Sequence, residues 1–396
     1  MYWTCIIEDV ILYAIKNMRV PRMIPEVCIV TKSNEKLTII IAGLIIGVIS
    51  TVLVLLGNPK NMGFCIACFI RDTAGALKLH GAKGVMYLRP EIIGIILGSF
   101  LLSLSKKEFS PRGGSSPMTR LVLGFFAMVG CLMFLGCPFR MILRIAGGDL
   151  NAILGLVGFA AGIGCGILYL KRGYSLKRTY RLPVSEGSAL PVIAVALLII
   201  LIAIPSLLNF SELIEDAKGP GLMHAAIWVS LLAGLIVGGL AQHTRLCMVG
   251  GIRDAILFKE FKLLLGFVAI LISALIMNLI LSAATSGTYF TLAFEGQPVA
   301  HMDGLWNALG MLLVGFACVL LGGCPLRQLV LAGEGNTDSA LTVVGLLLGA
   351  AFAHNFGLAS SADGPTGNGK IAVIIGIVVV IIIGEFNIAR NKQATK

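Results

Sequence analysis

The sequence predicts an all-α polytopic membrane protein built from two inverted-topology repeats with re-entrant half-helices. Its composition is 57% hydrophobic and only 13% charged, with a mean hydropathy of +0.94, whereas soluble domains carry roughly 25% charged residues. Apolar runs of about 20 residues, long enough to cross a bilayer, recur along the chain. Two short motifs also occur twice in the same order, which is typical of a repeated membrane fold.

The apolar pattern predicts ten membrane spans and four shorter segments. The spans are residues 37–56, 88–105, 120–136, 151–170, 190–208, 224–242, 259–282, 304–323, 339–358 and 371–386. The shorter apolar segments begin at cysteines and cover residues 65–79, 137–146, 247–258 and 324–332. Since they are too short to cross and too apolar for free loops, they indicate half-helices that dip into the membrane beside a pathway.

The doubled motifs both contain a cysteine. One runs from Asn61 to Asp72 and returns from His243 to Asp254. In both copies an Arg-Asp pair follows the cysteine, which is Cys65 in the first copy and Cys247 in the second. The other motif is Cys-Pro-x-Arg, which begins at Cys137 and again at Cys324. The cysteines are separated by 182 and 187 residues respectively, so two copies of one unit follow each other along the chain.

The span count and the loop charges predict the orientation. Each copy holds four spans and the span 190–208 separates them, so the second copy enters the membrane from the opposite side. Basic residues concentrate in loops 106–120 and 171–189 and in the C-terminal tail. This distribution indicates that both termini are cytoplasmic. The net charge of +11 is therefore interpreted as an orientation signal rather than as a surface that binds nucleic acid. Segment 57–89 conflicts with this rule, because it places five basic residues on the outer side unless it dips into the protein.

These elements predict five domains. Residues 1–36 form an N-terminal extension without the features of a signal peptide. The first membrane repeat covers 37–170, a basic linker and connecting helix cover 171–223, and the second repeat covers 224–358. The last helix and a cytoplasmic tail cover 359–396.

The Cys-Pro spelling predicts a polarised thiol at a helix start. Proline favours the first helical position, which makes Cys324 and Cys137 the N-caps of their half-helices. The free N–H groups of such an end attract anions and lower the pKa of a nearby thiol. Arg140 and Arg327 would add positive charge to the anion site. The alternative is that each Gly-Cys-Pro is only a helix break with a small filler residue; the duplication favours a substrate role.

Other chemistry finds less support in the sequence. Cys131, Cys165 and Cys318 lie within apolar spans and are interpreted as packing residues. Cys65 and Cys68 resemble a redox or metal pair, yet a zinc site needs two more ligands and Gly250 takes the place of Cys68 in the second copy. No cofactor is predicted, and no ATP-binding motif is present in the sequence. The Arg-Asp pairs either hold the half-helices or line a vestibule.

The doubled motifs resemble the YeeE/YedE family of membrane proteins over roughly residues 37–386. The resemblance rests on Cys65 and Cys247 with their Arg-Asp pairs, and on Gly-Cys-Pro at Cys137 and Cys324. It implies an hourglass-like inverted-repeat fold in which thiosulfate-transporting members pass the substrate along cysteine thiols. It therefore implies substrate-binding roles for these four cysteines.

The Cys-Pro-x-Arg form and the Ile-Arg-Asp pairs are most similar to the YedE branch associated with selenium metabolism. The resemblance implies an inner-membrane transporter of a small selenium- or sulfur-containing anion, with a cytoplasmic sulfur-carrier protein of the TusA or YedF type as partner. A thiosulfate uptake transporter is the first alternative. A membrane thiol oxidoreductase that uses Cys65 and Cys68 and a non-transporting scaffold for a sulfur-relay protein are the others.

Overall fold

Helices form most of the described chain. The computed structural model describes residues 25–285 and 288–394, so most of the predicted extension 1–36 lies outside the described residues. We number the helices of at least eight residues: α1 Pro25–Leu55, α2 Ile66–Ala76, α3 Pro90–Ser105, α4 Pro117–Phe134, α5 Pro138–Ala146, α6 Leu150–Lys171, α7 Ala189–Ala203, α8 Ile227–Thr244, α9 Met248–Phe258, α10 Lys262–Ala284, α11 Gly304–Leu321, α12 Pro325–Gly333, α13 Thr337–Asn355 and α14 Gly367–Ala394. A two-stranded antiparallel ribbon joins β1 (Arg112–Gly113) to β2 (Tyr180–Arg181).

The spanning helices confirm the predicted class of all-α polytopic membrane protein. Eight helical stretches of the described residues are long and apolar enough to cross a bilayer, and α3 and α7 are shorter apolar helices. Each of these ten elements coincides with a predicted span. The half-helices and the motif cysteines all lie within one compact unit, Ile39–Lys396. The exact domain boundaries stay a prediction.

Contacts between loops define two faces of the bundle. At the first, which we call the C-terminal face, Arg120 at the start of α4 donates to the carbonyl of Leu321 at the end of α11 (3.2 Å), and Arg172 after α6 pairs with Glu385 of α14. At the opposite face, which we call the distal face, the Leu150 amide donates to the Ala293 carbonyl (3.2 Å). The C-terminal face carries the basic loops 106–116 and 172–188.

The four short helices enter the bundle from opposite faces. Helix α2 lies between loops of the distal face, where Asn58 accepts from the Ala225 amide and Ala76 accepts from the Asn209 amide. Helix α5 returns to the same face. In the second copy, α9 and α12 begin and end at the C-terminal face, as the bond from the Ser110 amide to the Glu334 carbonyl shows for α12 (2.9 Å). The half-helices and the inverted arrangement agree with the prediction.

The two copies exchange packing partners, as a pseudo-two-fold axis requires. Helix α6 packs along α11 and α13 packs along α4, while α3 packs along α8 and α10 along α1. Glycines make this close contact possible. A Cβ on Gly158 would lie 2.0 Å from the Ala308 carbonyl oxygen, and one on Gly98 would lie 2.2 Å from the Leu235 carbonyl oxygen. Small residues at such crossings are typical of membrane helices.

Two of the five basic residues of segment 57–89, Arg71 and Arg89, are buried, whereas Lys78 and Lys83 are exposed. Asp72 accepts from Arg71 (2.7 Å) and from Arg89 (2.8 Å), and all three side chains are at most 3% exposed. Arg89 also donates to the carbonyls of Pro220 and Met223. These arginines therefore do not act as free loop charges, because the ion-pair network holds α2 against α3 and the 220–223 turn. Of the two roles left open for this Arg-Asp pair, the geometry supports the structural one.

We expect reporter fusions at Ser110, Ser175 and the C-terminus to report one compartment, and a fusion within 211–221 to report the other. The physical reason is the placement of loops 106–116 and 172–188 on the C-terminal face, whose positive charge favours the cytoplasm. Paired alkaline-phosphatase and green-fluorescent-protein fusions measure this. A result that places Ser110 and the 211–221 loop in the same compartment would contradict the inverted arrangement.

Candidate functional site

Each copy of the repeat brings two cysteine thiols together at the starts of its half-helices. In the first copy, Cys65 is the N-cap of α2 and Cys137 is the N-cap of α5. Both residues are at most 1% exposed, and their thiols lie close together. Since one half-helix comes from each motif of the copy, the two motifs form one site.

The second copy repeats this pair. Cys247 is the N-cap of α9 and Cys324 is the N-cap of α12. Their thiols also lie close together, and both residues are at most 5% exposed. The four sequence-predicted cysteines thus lie in two symmetry-related pairs, one in each half of the bundle.

The capping bonds differ between the two motifs. The thiol of Cys65 accepts from the Cys68 amide and that of Cys247 accepts from the Gly250 amide, both at 3.3 Å. Cys137 and Cys324 occupy the predicted N-cap positions with proline at the first helical position, but their side chains make no capping bond.

The half-helix starts supply the positive potential of the site. Four helix N-termini meet two thiol pairs, and each N-terminus carries roughly half a positive charge. Unpaired N–H groups of a first helical turn bind anions without a cationic side chain. The arrangement combines soft sulfur donors with a field that favours negative charge, so it suits a small soft anion.

Arg140 and Arg327 lie beside the thiol pairs and have protein partners. Arg140 is fully buried and donates to backbone carbonyls of Leu135, Asn61, Pro298 and Val299. Arg327 is 8% exposed and lies 3.1 Å from a carboxylate oxygen of Glu334. These contacts hold the half-helices in place. The direct contact of either guanidinium with substrate stays a prediction.

A polar cavity of about 110 Å³ opens at the distal face above the first thiol pair. Its lining includes Lys60, Asn61, Gln297 and Pro298. Arg140 joins this cavity to the start of α5, because it donates to the carbonyls of both Asn61 and Pro298. The ammonium of Lys60 bonds to the Thr288 carbonyl (2.8 Å) at the rim. Lys60 therefore supplies positive charge at the rim of the cavity, and Arg140 lies behind two of its lining residues.

Arg89, Arg144 and Asp149 belong to the frame of the site and were not identified from the sequence. Arg144 bonds to Asp149 at 2.7 Å with both side chains fully buried, and Arg144 also donates to the Phe134 carbonyl. Arg144 and Asp149 could have been identified from the sequence. They are a basic and an acidic residue within an otherwise apolar stretch, and such charges are paired when they are buried. The position of Arg89 gave no comparable signal because its partner lies 17 residues away.

Cys68 belongs to the first thiol pair's surroundings but not to the pair itself. Its thiol lies 3.9 Å from the Leu135 carbonyl oxygen, and its backbone amide donates to the Cys65 thiol (3.3 Å). Among the described side chains, no group of three or more His, Cys, Asp or Glu residues is arranged to hold a metal ion.

We expect Cys68→Ser to retain most of the activity and Cys65→Ser to lose most of it. Cys65 caps α2 and contacts Cys137, whereas the counterpart of Cys68 in the second copy is a glycine. Transport assays at matched protein levels measure the difference. Equal losses in the two variants would favour thiol–disulfide chemistry between Cys65 and Cys68 instead.

The bundle and its paired thiols define a polytopic membrane protein with a candidate site for a small soft anion. The Sulphur transport family matches residues 243–389, which run from the end of α8 through the rest of the second repeat and into the helix that follows it. The thiosulfate transporter TsuA from Spirochaeta thermophila is 31% identical over 127 residues. That match covers 31% of this chain and 35% of the relative, so about a third of the relative's length is matched. The two matches agree with the resemblance to the YeeE/YedE family that the doubled motifs indicated.

Proposed function

We propose that this protein transports a small sulfur- or selenium-containing anion across the cytoplasmic (inner) membrane. The observation that carries the proposal is the pair of buried thiols at the half-helix starts of each repeat. The match to the Sulphur transport family and the similarity to a thiosulfate transporter support the substrate class. The substrate passes from Cys65 and Cys137 to Cys247 and Cys324, or in the reverse direction.

The chemistry of the site suits thiosulfate-like anions. The terminal sulfur of thiosulfate is large and polarisable. It exchanges bound water for an S–H hydrogen bond from a thiol more readily than the oxygen of a hard oxyanion does. The helix N-termini offset the negative charge as water is removed. Two pairs in series let the anion lose its hydration in stages rather than in one costly step.

Selenium enters the proposal through the Cys-Pro-x-Arg and Ile-Arg-Asp motifs, which resemble the YedE branch. We propose that a selenium-containing anion feeds selenium metabolism, with thiosulfate as the alternative cargo. The basic loops of the C-terminal face, which include Arg112, Arg178 and Arg181, suit an acidic surface of a cytoplasmic carrier of the TusA or YedF type. Consumption of the anion by such a carrier would draw transport inwards.

A membrane thiol oxidoreductase is a second candidate, because the bond from the Cys68 amide to the Cys65 thiol holds these two cysteines side by side. Two thiols in contact can exchange with a disulfide when a partner supplies the oxidant. The symmetric second copy argues against it, since Gly250 stands at the place of Cys68.

Uptake of radiolabelled thiosulfate, selenite and selenosulfate by cells that express the chain tests the proposal. We expect uptake of at least one of these anions above the empty-vector level, with competition by the unlabelled anion. Absence of uptake for all three, with the protein inserted at a normal level, would overturn the transport function. Disulfide formation in a partner without net uptake would favour the oxidoreductase.

A further inference from the structure

Two further cysteines lie between the thiol pairs and follow the same repeat. Cys131 in α4 and Cys318 in α11 are 187 residues apart, which is the spacing of Cys137 and Cys324. Both are at most 1% exposed. Their apolar sequence context indicated packing residues, yet their placement within the bundle gives them a more specific role.

The packing of α4 against α11 puts these residues near the pseudo-two-fold axis. Gly130 of α4 lies against Val314 and Gly310 of α11, and Gly310 lies against Met133. Arg120 at the start of α4 bonds to Leu321 at the end of α11, while Met133 near the end of α4 lies against Gly310, so the two helices are antiparallel. Cys131 lies in the part of α4 toward the distal face, and Cys318 lies in the part of α11 toward the C-terminal face. A pathway that joins two symmetry-related halves has to cross this axis.

The surroundings of the two thiols connect the pairs. Cys131 lies in the neighbourhood of Cys65, Cys68 and Cys318. Cys318 lies in turn in the neighbourhood of Cys247, which is close to Cys324. The order along the bundle is therefore the first thiol pair, Cys131, Cys318 and the second thiol pair.

The two central helices, α4 and α11, contain few side chains that can donate a hydrogen bond to an anion in the middle of the bundle. Within residues 121–135 of α4 and 308–322 of α11, cysteine is the only residue type whose side chain can donate a hydrogen bond. The backbone N–H groups there are used by the helices themselves. An anion that leaves one thiol pair without reaching a donor would lose its partners in an apolar environment, which is costly.

We propose that Cys131 and Cys318 are the central step of the transport pathway and donate S–H hydrogen bonds to the anion between the two thiol pairs. This inference rests on the proposed function and names the residues that bind the anion between the two thiol pairs. The pathway is then a line of thiols through the bundle rather than two separate sites. No covalent change at sulfur is required, since each thiol keeps its proton while the anion moves past it.

The test compares alanine and serine variants of Cys131 and Cys318 with Cys165→Ala as the matched control. Cys165 lies in α6, is partly exposed, and has no place in the line of thiols. We measure initial uptake of radiolabelled thiosulfate or selenosulfate per inserted molecule, and resolve it into maximal rate and half-saturating concentration. We expect the alanine double variant to lose about tenfold or more of its maximal rate, since one missing interaction of about 1.4 kcal/mol is tenfold. The half-saturating concentration should change little, and Cys165→Ala should behave as the parent.

The serine variants keep a donor of similar size, so we expect them to insert normally and to fall between parent and alanine in rate. If the alanine double variant inserts poorly into the membrane, the uptake rates of the serine variants test the inference instead. Parental rates in both sets, while Cys137→Ser and Cys324→Ser are inactive, would overturn this inference and leave the proposed function intact. A parent without any uptake would overturn both.

Discussion

Replacement of Asp72 by asparagine is expected to destabilise the protein by about 3–5 kcal/mol. The carboxylate of Asp72 is fully buried and accepts from Arg71 and Arg89. Loss of its charge leaves two buried guanidinium groups without their counter-ion, and a broken buried ion pair costs more than the pair contributes when intact. Thermal unfolding of the detergent-solubilised protein measures the effect as a lowered midpoint and a smaller folded fraction.

Asp254→Asn is the matched control, because Asp254 is the counterpart of Asp72 in the second copy. The side chains of Asp254 and its partner Arg253 are 20% and 27% exposed, and they lie 2.8 Å apart. Water can replace much of what this substitution removes, so we expect a loss of about 1 kcal/mol or less. Equal losses in the two variants would show that the Asp72 network is not a buried structural centre.

The difference between these two Arg-Asp pairs marks the limit of what the sequence can show. The two pairs have the same residues in the same order. Only the fold shows that Arg89 contacts the first pair and that the second pair remains partly exposed. Helix spans and half-helices follow from local apolar runs, so the sequence predicted them at nearly the observed bounds. Partners that are distant along the chain depend on how the helices pack, and no local pattern encodes this.

The same distinction applies to the thiols. Proline after Cys137 and Cys324 fixes a helix start locally, so their N-cap positions were predictable. Which thiol makes the capping bond was not predictable, and the bond belongs to Cys65 and Cys247. The contact of Cys65 with Cys137 joins two motifs of one copy and arises only when α2 and α5 meet inside the bundle. Cys131 and Cys318 were assigned to packing because each lies within an apolar span.

The second large effect is expected at Cys137 and Cys324. We expect Cys137→Ser and Cys324→Ser each to lower transport by about tenfold or more per inserted molecule, since a lost interaction of about 1.4 kcal/mol is tenfold in rate or affinity. Serine is a good N-cap residue, so the half-helices α5 and α12 should form normally. What the substitution removes is the polarisable thiol that bonds to the partner cysteine and to a soft anion. The thermal unfolding midpoint should therefore stay near the parental value while transport falls.

Passage of a soft anion along the paired thiols is the core of the proposed mechanism. The most direct measurement is uptake of radiolabelled thiosulfate and selenosulfate into proteoliposomes that contain purified parent, Cys137→Ser, Cys324→Ser or the control Cys165→Ala. We expect saturable uptake by the parent and the control, and strongly reduced uptake by both serine variants at equal reconstitution. Uptake at the parental rate by both serine variants would contradict the mechanism, because Cys137 and Cys324 would then be helix breaks without a role in transport.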